Sequence, residues 1–105
     1  MAEFTVDLIE TSQRVHTRIG DSVWLCLVES PTTGYVWSRT GDLPPGLMEK
    51  ADDYRGVGAA MGGSAKHCFL YSCEAPCNVE LTFVLRRPWA PDVEKEVRVQ
   101  LTCAT

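Results

Sequence analysis

The stretch Val79-Glu80-Leu81-Thr82-Phe83-Val84-Leu85-Arg86 decides the fold. Val79, Leu81, Phe83 and Leu85 alternate with Glu80, Thr82, Val84 and Arg86. A period of two puts one face of a strand on a core and the other toward water. The pattern repeats on both sides. Val97, Val99 and Leu101 alternate with Arg98, Gln100 and Thr102. Phe4, Val6 and Leu8 alternate with Thr5 and Asp7, and Val15, Thr17 and Ile19 follow at the same spacing. Residues 67–73 centre on Phe69 and Tyr71, whereas 23–28 is apolar on both faces, as an interior strand is. Gly20-Asp21, Gly41-Asp42 and Pro44-Pro45-Gly46 punctuate these segments as turns. No segment reads as a helix. The spacing predicts strands over 4–9 with 15–19, then 22–28, 35–39, 49–54, 66–73, 79–86 and 95–102. About seven to eight short alternating strands predict an all-β fold, an antiparallel β-sandwich of two sheets. The 105 residues suit a single domain spanning 1–105.

Composition narrows the function. The formal net charge is -4, and Lys and Arg are scattered apart from Arg86-Arg87. A nucleic-acid binder carries a basic stripe, so no nucleic-acid partner is expected. No run of 18 apolar residues exists to span a membrane. Residues 1–7 lack the basic region and apolar stretch of a secretory signal. The expected location is the cytoplasm or the endosomal or lysosomal lumen. Five cysteines are present, Cys26, Cys68, Cys73, Cys77 and Cys103, and an odd number leaves at least one thiol unpaired. They read as reduced thiols serving as small hydrophobes. His67 with Cys68, Cys73 and Cys77 lacks the paired Cys-x2-Cys of structural zinc sites, so neither metal nor cofactor is expected. A nucleophilic cysteine needs a histidine partner, and only His16 and His67 are available. Asp52-Asp53 reads as an edge cap or a solvated edge. With no His–carboxylate–nucleophile set, the chain does not read as an enzyme.

Strand direction brings three connections together. Consecutive strands of a sandwich run in opposite directions, so connections two strands apart emerge at the same end. Those are 29–34, 55–65 and 87–92, the stretches of least ordinary composition. In the first, Pro31 fixes its own φ and restricts Ser30, Gly34 permits a positive φ, and Thr32 and Thr33 are stiff at χ1. A stiff tip loses little entropy on binding. In the third, Trp89 stands between Pro88 and Pro91, which remove backbone donors and keep the stretch out of a ladder. An exposed Trp beside Arg87 is the composition of a binding hot spot. The middle connection, 56–65, is rich in glycine and alanine and can lie close against another backbone. It lacks the Lys-Ser/Thr ending of a phosphate-binding loop.

Pro31-Thr32-Thr33-Gly34-Tyr35, Met61-Gly62-Gly63 and Arg87-Pro88-Trp89 resemble, in order and spacing, the signature loops of the chagasin-type inhibitors of cysteine peptidases. The family usually has Asn where Ser30 stands, and commonly a further Gly where Ala60 stands. The resemblance implies an immunoglobulin-like sandwich, a monomer when free, that reversibly and tightly inhibits papain-like, cathepsin-type proteases. It implies that the loops 30–35, 56–65 and 87–91 occlude the active-site cleft. Thr32 and Thr33 would be the cleft-blocking pair, Gly62 and Gly63 the backbone-contact pair, and Arg87 and Trp89 the flanking clamp. The rival reading is a non-inhibitory immunoglobulin-like binding module, since one fold hosts many functions. Cys26 and Trp37 mimic the Cys and Trp of antibody domains, but residues 79–85 contain no Cys to complete that pattern.

Overall fold

The alternating segments form eight strands: β1 (Glu3–Asp7), β2 (Ser12–Arg18), β3 (Ser22–Glu29), β4 (Val36–Thr40), β5 (Leu47–Arg55), β6 (Ala65–Cys73), β7 (Cys77–Arg86) and β8 (Val93–Ala104). The structure, a computed structural model, describes residues 2–29, 33–55 and 65–105. Each predicted strand has its counterpart. The largest shift in a starting point is at β2, which begins at Ser12 rather than 15, while β5 begins at Leu47 and carries a register irregularity between Glu49 and Ala51.

The strands make two four-stranded sheets, ordered β1-β3-β6-β5 and β2-β8-β7-β4. Both sheets are mixed, which corrects the expectation of a purely antiparallel sandwich. β1 pairs with β3 in parallel, and β2 with β8 in parallel. The cause is a count. The predicted first strand is two, β1 and β2, and they join different sheets. Chain direction reverses at every connection, so odd-numbered strands all run one way and even-numbered strands the other. Neighbours of like parity, β1 with β3 and β2 with β8, must then be parallel. The other four pairings join odd to even and are antiparallel.

The inward faces carry the core. Val23, Leu25 and Leu27 of β3 and Phe69 and Tyr71 of β6 meet Leu81 and Phe83 of β7 and Val97, Val99 and Leu101 of β8. Phe69 and Phe83 pack with ring centroids 5.1 Å apart. Burying a large apolar side chain contributes about 1.5–3 kcal/mol, so this layer dominates the folding energy.

The cysteines depart from the reduced-thiol expectation. Cys26 and Cys68 are register partners on β3 and β6 and form a disulfide with Cα atoms 4.1 Å apart. A second disulfide, Cys73–Cys103, staples one sheet to the other. Cys77 is the free thiol that the odd count required. Both pairings are set by strand register and sheet stacking, which cysteine spacing alone does not contain. Both ends of the described chain lie at one pole. The Ala2 amide donates to Asp21 Oδ1, and the Ile19 amide to the Ala104 carbonyl.

Candidate functional site

Register fixes where each connection leaves the sandwich. Glu29, the last residue of β3, pairs with Ala65, the first of β6, and Arg55, the last of β5, pairs with Lys66. Val36, the first of β4, pairs with Arg86, the last of β7, which also pairs with Val93 of β8. Across the sheets, the Trp37 amide donates to Glu29 Oε1 at 2.7 Å, and the indole Nε1 donates to the Val28 carbonyl at 2.8 Å. The roots of all three connections therefore share the pole opposite the chain ends. The connection 8–11, between β1 and β2, leaves the same pole by the parity argument, and its Ile9 is 83% exposed. Counting the first two strands as one hid this fourth connection.

Two of the three predicted segments meet on the described residues. The Trp89 side chain is 74% exposed, yet its ring lies against Gly34. A Cβ on Gly34 would stand 2.9 Å from Trp89 Cη2, and Gly34 holds φ at +80°. Only glycine fits both requirements, because a side chain there is strained by the left-handed backbone and collides with the indole. The Arg87 guanidinium sits 4.6 Å from the Tyr35 ring centroid, a second contact between the same two segments. The Tyr35 amide donates to Thr33 Oγ1 at 3.3 Å, and the Ala90 amide to the Arg87 carbonyl at 3.1 Å, so each segment also closes on itself. The result is a ridge of Thr33, Gly34 and Tyr35 backed by the exposed indole of Trp89 and the Arg87 guanidinium. Of the predicted site residues, Pro31, Thr32, Met61, Gly62 and Gly63 lie outside the described residues.

Beneath the ridge is a buried polar cluster that the sequence reading did not assign. Glu29 and His67 are each 4% exposed. Glu29 Oε1 accepts from the Trp37 amide and lies 3.1 Å from His67 Nδ1. The other ring nitrogen, Nε2, contacts Asp52 Oδ1. Asp52 is thus a partner of His67 as well as an edge residue, while Asp53 Oδ1 accepts from the Tyr54 amide. The His67 ring is stacked between Tyr54 and Phe69, with centroids 4.4 and 4.5 Å away. The Tyr54 phenol is pushed up from 10.0 to about 12. Burial is the largest cause, followed by the neighbouring carboxylates of Glu29 and then Asp52. Tyr71, deeper on β6, is raised by burial and by its 2.8 Å bond to Glu49. The signal in the sequence was period two, which puts Glu29 in phase with Val23, Leu25 and Leu27. A charged residue on a core face marks a paired site.

Among the described residues no group of His, Cys, Asp and Glu is arranged to hold a metal. Cys68 and Cys73, two of the thiols weighed as ligands, are closed in disulfides.

The fold has solved counterparts. The cysteine protease inhibitor EhICP2 from Entamoeba histolytica superposes with a TM-score of 0.81 at 15% identity, over 97% of this chain and 96% of that one. Amebosin gives 0.73 at 20% identity, over 96% and 97%. PbICP-C, solved in complex with falcipain-2, gives 0.58 at 14% identity, over 95% and 97%. No curated protein sequence matches. The model of the chagasin family of peptidase inhibitors, I42, matches residues 16–103, and with the greater part of its length so matched the chain belongs to that family.

Proposed function

We propose that this protein is a reversible, tight-binding inhibitor of papain-like cysteine proteases that blocks the catalytic cleft with the connections 30–35, 56–65 and 87–91. The observation that carries the reading is the exposed indole of Trp89 laid on Gly34, which joins the first and third connections into one projecting ridge. Membership of a peptidase-inhibitor family supports it, as does the complex that its structural neighbour PbICP-C makes with falcipain-2.

The mechanism is occlusion without chemistry. A protease cleaves a segment whose carbonyl is held in near-attack geometry on the nucleophile. A ridge held rigid from behind fills the cleft without offering such a carbonyl. In this reading Thr32 and Thr33 block the cleft, Gly62 and Gly63 serve as the backbone-contact pair on one wall, and Arg87 and Trp89 clamp the other. Three connections suit the total of about 1,600 Å² that protease–inhibitor pairs bury. Among the expected locations, two disulfides argue against the reducing cytoplasm as the site of action.

Titration of papain with this protein, beside trypsin as a serine-protease control, tests the reading. Stoichiometric loss of papain activity, recovered on dilution, with trypsin unaffected, is expected. Full papain activity in the presence of excess protein would overturn it.

A further inference from the structure

The strands that flank the first connection belong to different sheets, so no ladder of backbone bonds joins them. β3 pairs with β1 and β6, and β4 pairs with β7. What the described residues place at this junction is a set of side-chain bonds. The Glu29 carboxylate takes the Trp37 amide, and the Trp37 indole returns a bond to the Val28 carbonyl. Glu29 and Trp37 stand one at each foot of the 30–35 connection, so a single carboxylate closes its base.

The same carboxylate is tied to the second connection. Its contact with His67 Nδ1 reaches β6, and His67 Nε2 meets Asp52 of β5. Tyr54, also on β5, stacks on His67. β5 leads into the 56–64 stretch and β6 leads out of it. A buried carboxylate is costly unless donors surround it. Here Trp37 of β4 and His67 of β6 provide them, and Asp52 and Tyr54 of β5 hold the His67 ring in turn. Carboxylates that are ionised only accept, so both contacts of His67 are hydrogen bonds when both ring nitrogens carry hydrogen.

We propose that Glu29 and His67 are positioning residues for inhibition. They form a buried clasp that holds the first connection closed at its base and couples it to the second. Resting on the proposed inhibitory function, the clasp acts before encounter. It raises the fraction of molecules whose ridge is already shaped for the cleft, and the association rate scales with that fraction.

The test uses Glu29→Ala and Glu29→Gln, with two readouts. The first needs no protease: hydrogen exchange of the Trp37 amide in the free protein. The second is the association rate constant with papain, measured well below each variant's melting temperature. Glu29→Ala should speed exchange and slow association, each by about tenfold, with a smaller change in dissociation. Glu29→Gln keeps an oxygen that accepts from the Trp37 amide and should recover both to within about threefold. A folded Glu29→Ala with wild-type exchange and association would overturn the proposal. So would a Glu29→Gln as impaired as the alanine variant. If Glu29→Ala does not fold, His67→Gln takes its place and should slow association in the same direction, and an unchanged rate there would likewise overturn it. If the wild-type protein leaves papain active, the functional reading fails, and the exchange result still decides whether the clasp exists.

Discussion

Trp89 and Gly34 explain each other. An indole that is 74% exposed contributes little to the core, so its position reflects what it lies on. Gly34 offers a flat backbone surface because it has no Cβ, and its φ of +80° is one that glycine adopts without strain. Trp89→Ala should therefore leave the melting temperature nearly unchanged and raise the inhibition constant for papain by roughly 30- to 1,000-fold, the range for losing a pocket-filling hot-spot residue. Wild-type inhibition by that variant would remove the indole from the interface. This pairing was half legible in the sequence. Prolines on either side of Trp89 argued against a strand, and Gly34 argued for a turn. That the two touch depends on the sheet pairing of Val36 with Arg86.

Among the elements, β6 has the most varied duties. His67, Phe69, Tyr71 and Cys73 line its inner face in turn, as a clasp, two core rings and an inter-sheet staple. Neighbouring β5 carries Tyr54, whose phenol is raised from 10.0 to about 12. The consequence has a definite sign. Below pH 10 the phenol is protonated in both folded and unfolded chains. Between pH 10 and 12 the unfolded chain gives up the proton while the folded one keeps it, so stability is lost across that window. Thermal melts from pH 10 to 12 should fall more steeply for the wild type than for Tyr54→Phe, and parallel curves would contradict the assignment. Strand identity was readable throughout because burial follows period two. Register was not, because sliding a strand by two residues preserves the same alternation. The Cys26–Cys68 bond, the Glu29–His67 contact and the parallel pairings all depend on register or sheet order, and those are the features that the sequence left open.

For the whole molecule, two disulfides supplement a core of modest size. They join residues 42 and 30 positions apart. Cross-links of that span stabilise by about 2–4 kcal/mol each, chiefly by restricting the unfolded chain. Urea unfolding with and without a reductant should show a loss of that order, and coincident curves would mean that the thiols are not paired in solution. The alternating chain direction has a consequence for handling the protein. Ala2 and Ala104 sit beside the Arg18–Asp21 turn, at the pole remote from Trp89. An affinity handle, a fluorophore or a surface tether attached at either terminus points away from the ridge, so immobilised molecules would stand with their gripping ends outward and unobstructed.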